Sequence, residues 1–220
     1  MTPTPPTRRY DYEGDGAAIY LESFATIRRE SDLTHVPADA ESVVVRMIHA
    51  TGQPDLARDL VVHQELVSAA RSALASGAPI ITDAHMVASG VTRSRLPAQN
   101  DVVCLLHDDR VPFLAQQWGT TRSAAAVSLW GDRLEGAVVA VGNAPTALFH
   151  LLEMLLDGGP RPAAIVGVPV GFVGAVEAKE ALAALAPDHG LDIPFLTLRG
   201  RRGGSAIAAA ALNALAQERE

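Results

Sequence analysis

Short apolar runs recur along this chain, each followed by a loop of small residues and then by apolar positions at helical spacing. Residues 78–82 precede a helical pattern over 83–90, and residues 136–141 lead through Gly142-Asn-Ala-Pro-Thr146 into a helix over 147–156. Downstream, 162–168 lead into a helix over 175–186, and 194–198 lead into a closing helix over 205–217. Residues 102–106 make a fifth strand. Runs this apolar are covered on both faces, and their alternation with helices predicts a single three-layer α/β/α domain around a mainly parallel sheet. Two helices, over 15–30 and 39–50, precede the first strand and are placed to fold over one end of the sheet. The strand order is not readable from the pattern. In open sheets of this class ligands bind beyond the carboxyl ends of the strands, so the loops that follow the strands should converge on one crevice.

Composition narrows the picture. At 220 residues and 48% hydrophobic, the chain can bury the core of one domain over 10–220, behind a proline-rich tail over 1–9 that is expected to be disordered. Arg8-Arg9 leads into Tyr10-Asp-Tyr-Glu-Gly14 rather than an apolar stretch, so no export signal is read. No run approaches the ~20 apolar residues of a membrane helix. A net charge of −7 and a pI near 5.5 count against nucleic acid as a partner. Of 18 basic residues only Lys179 is a lysine, which leaves guanidinium groups suited to a two-point grip on carboxylates or phosphates. A GC-rich genome gives the same bias. Cys104 stands alone in an apolar run, which excludes an intrachain disulfide, reads as a buried core thiol and fits a reducing cytoplasm.

Candidate chemistry begins with Arg46 and His49. Three residues apart on a helix, they place a fixed cation and a group that titrates near neutrality on one face. Asp39 or Ser42 can cap the start of that helix and Gly52 can end it, so His49 falls in the last turn, where the dipole favours imidazolium. A proton donor is one reading; a surface histidine capping its own helix is the other. The turn Gly142-Asn-Ala-Pro-Thr146 joins a strand to a helix where backbone N–H groups are free, and it suits either a ligand carboxylate or phosphate or plain structural capping.

Gly167-Val-Pro-Val-Gly-Phe-Val-Gly174 spaces its glycines by four and three, which is not the dinucleotide fingerprint. Gly200-Arg-Arg-Gly-Gly-Ser205 lacks the spacing and lysine of a phosphate-binding loop and reads as a flexible carboxylate-gripping turn or a solvated one. Thr92-Arg-Ser-Arg95, Thr120-Thr-Arg-Ser123 and Ser23-Phe-Ala-Thr-Ile-Arg28 add arginines and hydroxyls. With Arg46 they describe a crevice for a large ligand that is multiply anionic and otherwise apolar. Asp83-Ala-His85 offers two metal ligands without a third at a recognised spacing, so no metal site is expected. No GxSxG elbow or paired-carboxylate signature appears.

Taken in order, these segments resemble the precorrin-8X methylmutase family of cobalamin biosynthesis, from about Tyr10 to Leu215. The matching blocks include Asp15-Gly16, Ser23-Phe24, Arg46-Met-Ile-His-Ala50, Gly77-Ala-Pro-Ile80, Thr121-Arg-Ser-Ala124, Gly142-Asn-Ala-Pro-Thr-Ala-Leu-Phe149, Pro169-Val-Gly-Phe-Val-Gly174 with Glu177 and Lys179, and Gly203-Gly-Ser205. The resemblance implies an isomerase that moves a methyl group from C-11 to C-12 of precorrin-8X to give hydrogenobyrinic acid, with no cofactor, in a cytoplasmic homodimer without membrane or nucleic-acid partners. By the same likeness His49 is the catalytic proton donor, and Ser23 and Arg46 touch the substrate. For Thr92, Arg93, Arg122, Asn143 and Thr146, assignment to the substrate rests partly on the anion argument. The alternatives are the same shift on cobalt-precorrin-8 and a tetrapyrrole carrier without turnover.

Overall fold

In the computed structural model, which describes residues 2–217, the strands are β1 (Leu60–Val62), β2 (Ile80–Thr82), β3 (Val102–Val103), β4 (Val138–Val141), β5 (Ala164–Gly167) and β6 (Phe195–Leu198). The helices are α1 (Gly16–Glu30), α2 (Glu41–His49), α3 (Leu66–Ala75), α4 (His85–Gly90), α5 (Val111–Trp118), α6 (Arg122–Ser128), α7 (Pro145–Leu156), α8 (Ala175–Ala183), α9 (Leu185–His189) and α10 (Ser205–Leu215). The sheet runs β1-β6-β5-β4-β2-β3, and every pair is parallel except β1 with β6.

Alternation along the strands explains the three layers, because successive side chains point to opposite faces. Val138 and Ala140 of β4, Val166 of β5 and Leu196 of β6 join a core cluster with residues of α1, α2, α3, α4 and α10. Val139 and Val141, Ile165 and Phe195 join the opposite cluster with α7, α8, Trp130 and Leu134. The expected α/β/α architecture and mainly parallel sheet are present.

Several boundaries differ from the sequence reading. The run 102–106 forms only the two-residue edge strand β3, and Cys104 beyond it is half-buried rather than in the core. An edge strand is covered less completely than a central one, so its apolar residues overstate its burial. Asp39 and Ser42 do not cap α2: a 3₁₀ turn, Ala38–Ala40, runs directly into it, and the N-cap residue Ala40 makes no side-chain capping bond. Gly52 does close the far end, at φ +64°, with its N–H on the Ile48 carbonyl at 2.8 Å. The antiparallel β1 and the helices α3, α5 and α6 stand outside the elements expected from the sequence. Residues 2–9 are exposed and carry no regular structure. Position 1 of the expected tail and positions 218–220 of the expected domain lie outside the described residues.

β1 matters for position. It runs against its neighbour, so Leu60 pairs with Leu198 at the carboxyl end of β6. The chain therefore leaves α2 at His49, turns through Pro54–Asp59 and enters the sheet at the edge where the other strands end.

Candidate active site

Asp15 starts α1 by accepting from the Ala17 N–H at 2.9 Å, and the buried Phe24 and Ile27 seat the helix on α2. Tyr20, Ser23, Phe24 and Ile27 follow the i, i+3, i+4, i+7 spacing of one helix face. That face meets His49. Ser23 Oγ lies 2.8 Å from His49 Nδ1, Phe24 meets the imidazole edge-on at 5.3 Å and Tyr20 lies at 5.1 Å. With Nδ1 engaged, Nε2 is the ring nitrogen without a partner among the described residues.

Arg46 does not share a cavity with His49, although both face α1. Its guanidinium rests over the Phe24 ring at 5.5 Å, so one phenylalanine touches both residues and α1 divides the space around them. On the His49 side is a cavity of about 380 Å³ lined by Ser23, Ile27, His49 and Pro54, and also by Glu22 and Glu30. On the other side is a cavity of about 680 Å³ lined by Tyr20, Leu21 and Phe24 with Arg28, Arg46 and Arg95.

The remaining expected site residues form two other groups, and neither cavity beside α1 is lined by them. The Thr92 N–H donates to Asn213 Oδ1 at 2.8 Å, which ties this loop to α10. Arg93 lines a cavity of about 570 Å³ with His85, Ser89 and Cys104, beside the imidazole pair His85 and His107, whose centroids lie 4.4 Å apart. Arg122 opens α6. Its neighbour Thr121 caps that helix through the Ala124 N–H at 3.1 Å and meets Thr146 hydroxyl to hydroxyl at 2.8 Å, linking α6 to α7.

The turn at Asn143 overturns an expectation. Its N–H groups are not free, because Asp83 accepts from Gly142, Asn143 and Ala144 at 2.9, 3.0 and 2.8 Å. A carboxylate does sit in this turn, but it is the protein's own. Asp83 is 4% exposed, and burial pushes its pKa up against the three donors that favour its charged form. The same bonds turn Asp83 away from the metal-ligand role that Asp83-Ala-His85 offered. Among the described residues no group of three His, Cys, Asp or Glu side chains is placed to hold a metal ion.

The glycine-rich loop after β6 is partly occupied from within. Its Arg202 binds Asp55 at 2.7 Å and Asp59 at 3.5 Å, and Arg199 just before the loop binds Glu180 at 3.1 Å, whereas Arg201 rests over the Phe172 ring at 5.2 Å. Lys179, 1% exposed, donates to the Arg202 carbonyl at 2.7 Å, and burial pulls its pKa down to about 8. A Cβ at Gly203 would strike the Val168 and Pro169 carbonyls, so the loops after β5 and β6 close backbone to backbone.

Sequence reasoning missed Tyr20, Glu22 and Glu30, carried Phe24 only inside a matching block, and named Arg95 only within the Thr92-Arg-Ser-Arg95 cluster. The signal for the two rings was available in their four-residue spacing on the expected first helix. Which side of that helix each charge would face was not.

The family profile described as precorrin-8X methylmutase matches residues 18–218. A precorrin-8X methylmutase of Sinorhizobium sp. is 58% identical over 94% of this chain and 97% of its own. A cobalt-precorrin-8 methylmutase of Methanothermobacter thermautotrophicus is 35% identical over 92% of this chain and 93% of its own. The solved precorrin-8X methylmutase of Thermus thermophilus superposes with a TM-score of 0.80 at 40% identity, covering 91% of this chain and 95% of that one. The chain belongs to the precorrin-8X methylmutase family, whose members are isomerases that shift a methyl group.

Proposed function

We propose that this protein converts precorrin-8X to hydrogenobyrinic acid by moving a methyl group from C-11 to C-12, with His49 as the proton donor. The observation that carries this reading is the Ser23–His49 pair at 2.8 Å, backed by Tyr20 and Phe24. Ser23 holds Nδ1 and so sets the ring plane, which leaves Nε2 for the macrocycle. The helix end and the carboxylates of Glu22 and Glu30 put negative charge beside a ring that must carry a proton. Protonating the conjugated system withdraws electron density from the carbon framework, the methyl group migrates with its bonding pair, and the proton returns to the imidazole. No atom is gained or lost.

Arg46, resting on Phe24, supplies a cation for the acetate and propionate arms without standing beside the acid. Thr92, Arg93, Arg122, Asn143 and Thr146 are proposed as further contacts through their side chains. The higher identity to the precorrin-8X enzyme than to the cobalt-precorrin-8 enzyme supports the metal-free substrate. A cytoplasmic homodimer is part of the same proposal. Exposed Phe113, Trp118, Phe172 and Val173 provide apolar surface for association.

The test is incubation of catalytic amounts of protein with precorrin-8X and with its cobalt form side by side, following the ring absorbance and identifying the product. Faster conversion of the metal-free compound to hydrogenobyrinic acid is expected. Preference for the cobalt form would reassign the substrate, and binding without conversion would leave a carrier.

A further inference from the structure

Two guanidinium groups face the larger cavity beside α1 with no carboxylate to answer them. Arg46 and Arg95 line it together with Arg28. Arg28 donates to Glu41 at 2.7 Å, whereas neither Arg46 nor Arg95 forms an ion pair with any described residue. That contrasts with Arg110, Arg199 and Arg202, each of which is paired with a carboxylate. The wall beside these cations is apolar: Tyr20, Leu21 and Phe24, of which Leu21 is 74% exposed. Exposed apolar groups beside unanswered guanidinium groups suit a carboxylated arm at the rim of a larger apolar ligand.

The charge on the other side of α1 strengthens the assignment. Glu22 and Glu30 line the His49 cavity, so carboxylated arms are repelled there and attracted to the side of Arg46 and Arg95. Arg93, two positions before Arg95 in the turn Arg93–Arg95, points elsewhere and reaches the Val102 carbonyl at 3.4 Å. Three residues per turn place positions two apart on different sides, which separates the two arginines.

We infer that Arg95 is a carboxylate clamp that makes the enzyme select a free-acid side chain of its tetrapyrrole over an amidated one, an inference that rests on the reaction proposed above. A carboxylate offers two acceptors to the guanidinium fork. A carboxamide offers one and turns an N–H₂ donor toward donors.

The experiment compares dissociation constants for hydrogenobyrinic acid and for the same compound with its side chains chemically amidated, together with KM and kcat for precorrin-8X. The proteins are wild type, Arg95→Gln, Arg95→Lys and a charge control, Arg133→Gln, which removes a cation on the opposite face of the sheet. Arg95→Gln should weaken acid binding and raise KM by about 10- to 100-fold, leave amide binding nearly unchanged and keep kcat within about twofold. Arg95→Lys, with charge but no fork, should fall between. Arg133→Gln should match wild type.

Arg95 is exposed in a short turn, so the variants should keep the wild-type Tm. An unchanged acid-to-amide preference in Arg95→Gln, or an equal loss of both ligands, overturns the clamp. Wild-type protein that neither binds nor converts the corrin overturns the reaction itself along with the clamp. Wild-type turnover with an indifferent Arg95→Gln overturns the clamp alone.

Discussion

The two sides of α1 differ in charge and in chemistry. One side holds an imidazole with Glu22 and Glu30; the other holds Arg28, Arg46 and Arg95 against an aromatic wall. Proton donation and anion binding make opposite electrostatic demands, since a cation that attracts carboxylates also repels a proton held nearby. Phe24 touches both residues, lying perpendicular to the His49 ring at 5.3 Å and under the Arg46 guanidinium at 5.5 Å, so under the proposed roles it would keep the two demands apart. Arg46 and His49 share a helix face, yet the ring between them assigns each to its own cavity.

The strongest way to break this comparison is to remove the acid. His49→Ala should lower kcat by about 10²–10⁴-fold, the usual worth of a positioned general acid, with affinity for hydrogenobyrinic acid nearly intact. Turnover close to wild type would end the assignment of the His49 side to proton chemistry. Removing a cation from the other side should give the reverse pattern. Arg46→Gln should raise KM by about 10- to 100-fold with a small change in kcat, and the defect should shrink as salt weakens wild-type binding. A variant that lost kcat alone would show that the arginine acts on the reacting atoms.

A subtler change exchanges the character of the two sides. Glu22→Gln combined with Glu30→Gln should lower kcat by about 2- to 5-fold and tighten binding of the polyanionic product to a similar degree. Steady-state kinetics at low and high ionic strength read both effects. An increase in kcat would mean that the carboxylates hinder the acid rather than support it.

The smallest effect concerns a brace away from α1. Burial pulls the Lys179 pKa down to about 8, below the 10.5 of the free side chain, so between those values the folded protein binds fewer protons than the unfolded chain. Stability should therefore rise as pH increases from about 8 to 10.5, relative to a Lys179→Met variant measured in parallel. Melting curves across that range test the sign. A falling difference would show that the hydrogen bond to the Arg202 carbonyl depends on the charged ammonium.

Much of the fold was legible because central strands covered on both faces must be apolar at every position. The runs in β4, β5 and β6 stand out for that reason, and each appears within a few residues of its expected place. Edges were less legible. β1 and β3 are half-buried although every residue in them is apolar, so the pattern does not distinguish an edge strand from a central one. Ser23 and His49 meet, whereas Arg46 rests on Phe24 beside a different cavity. The expected anion turn at Gly142 was read from free backbone donors, and those donors were filled by Asp83, which lies 59 residues away from Gly142 along the chain.

By itself, the sequence determined which residue types were available: apolar runs that demand a two-sided sheet, one histidine near a helix end and a surplus of arginine. Periodicity is local, and it carries that information without knowledge of the neighbours. Only the tertiary structure decided which arginines met carboxylates of their own chain and which were left facing a cavity. Pairing depends on contacts between segments far apart in sequence, as when Arg202 meets Asp55 across 147 positions. The same long-range packing laid α1 across α2 and set two residues of one helix face, Arg46 and His49, beside different cavities.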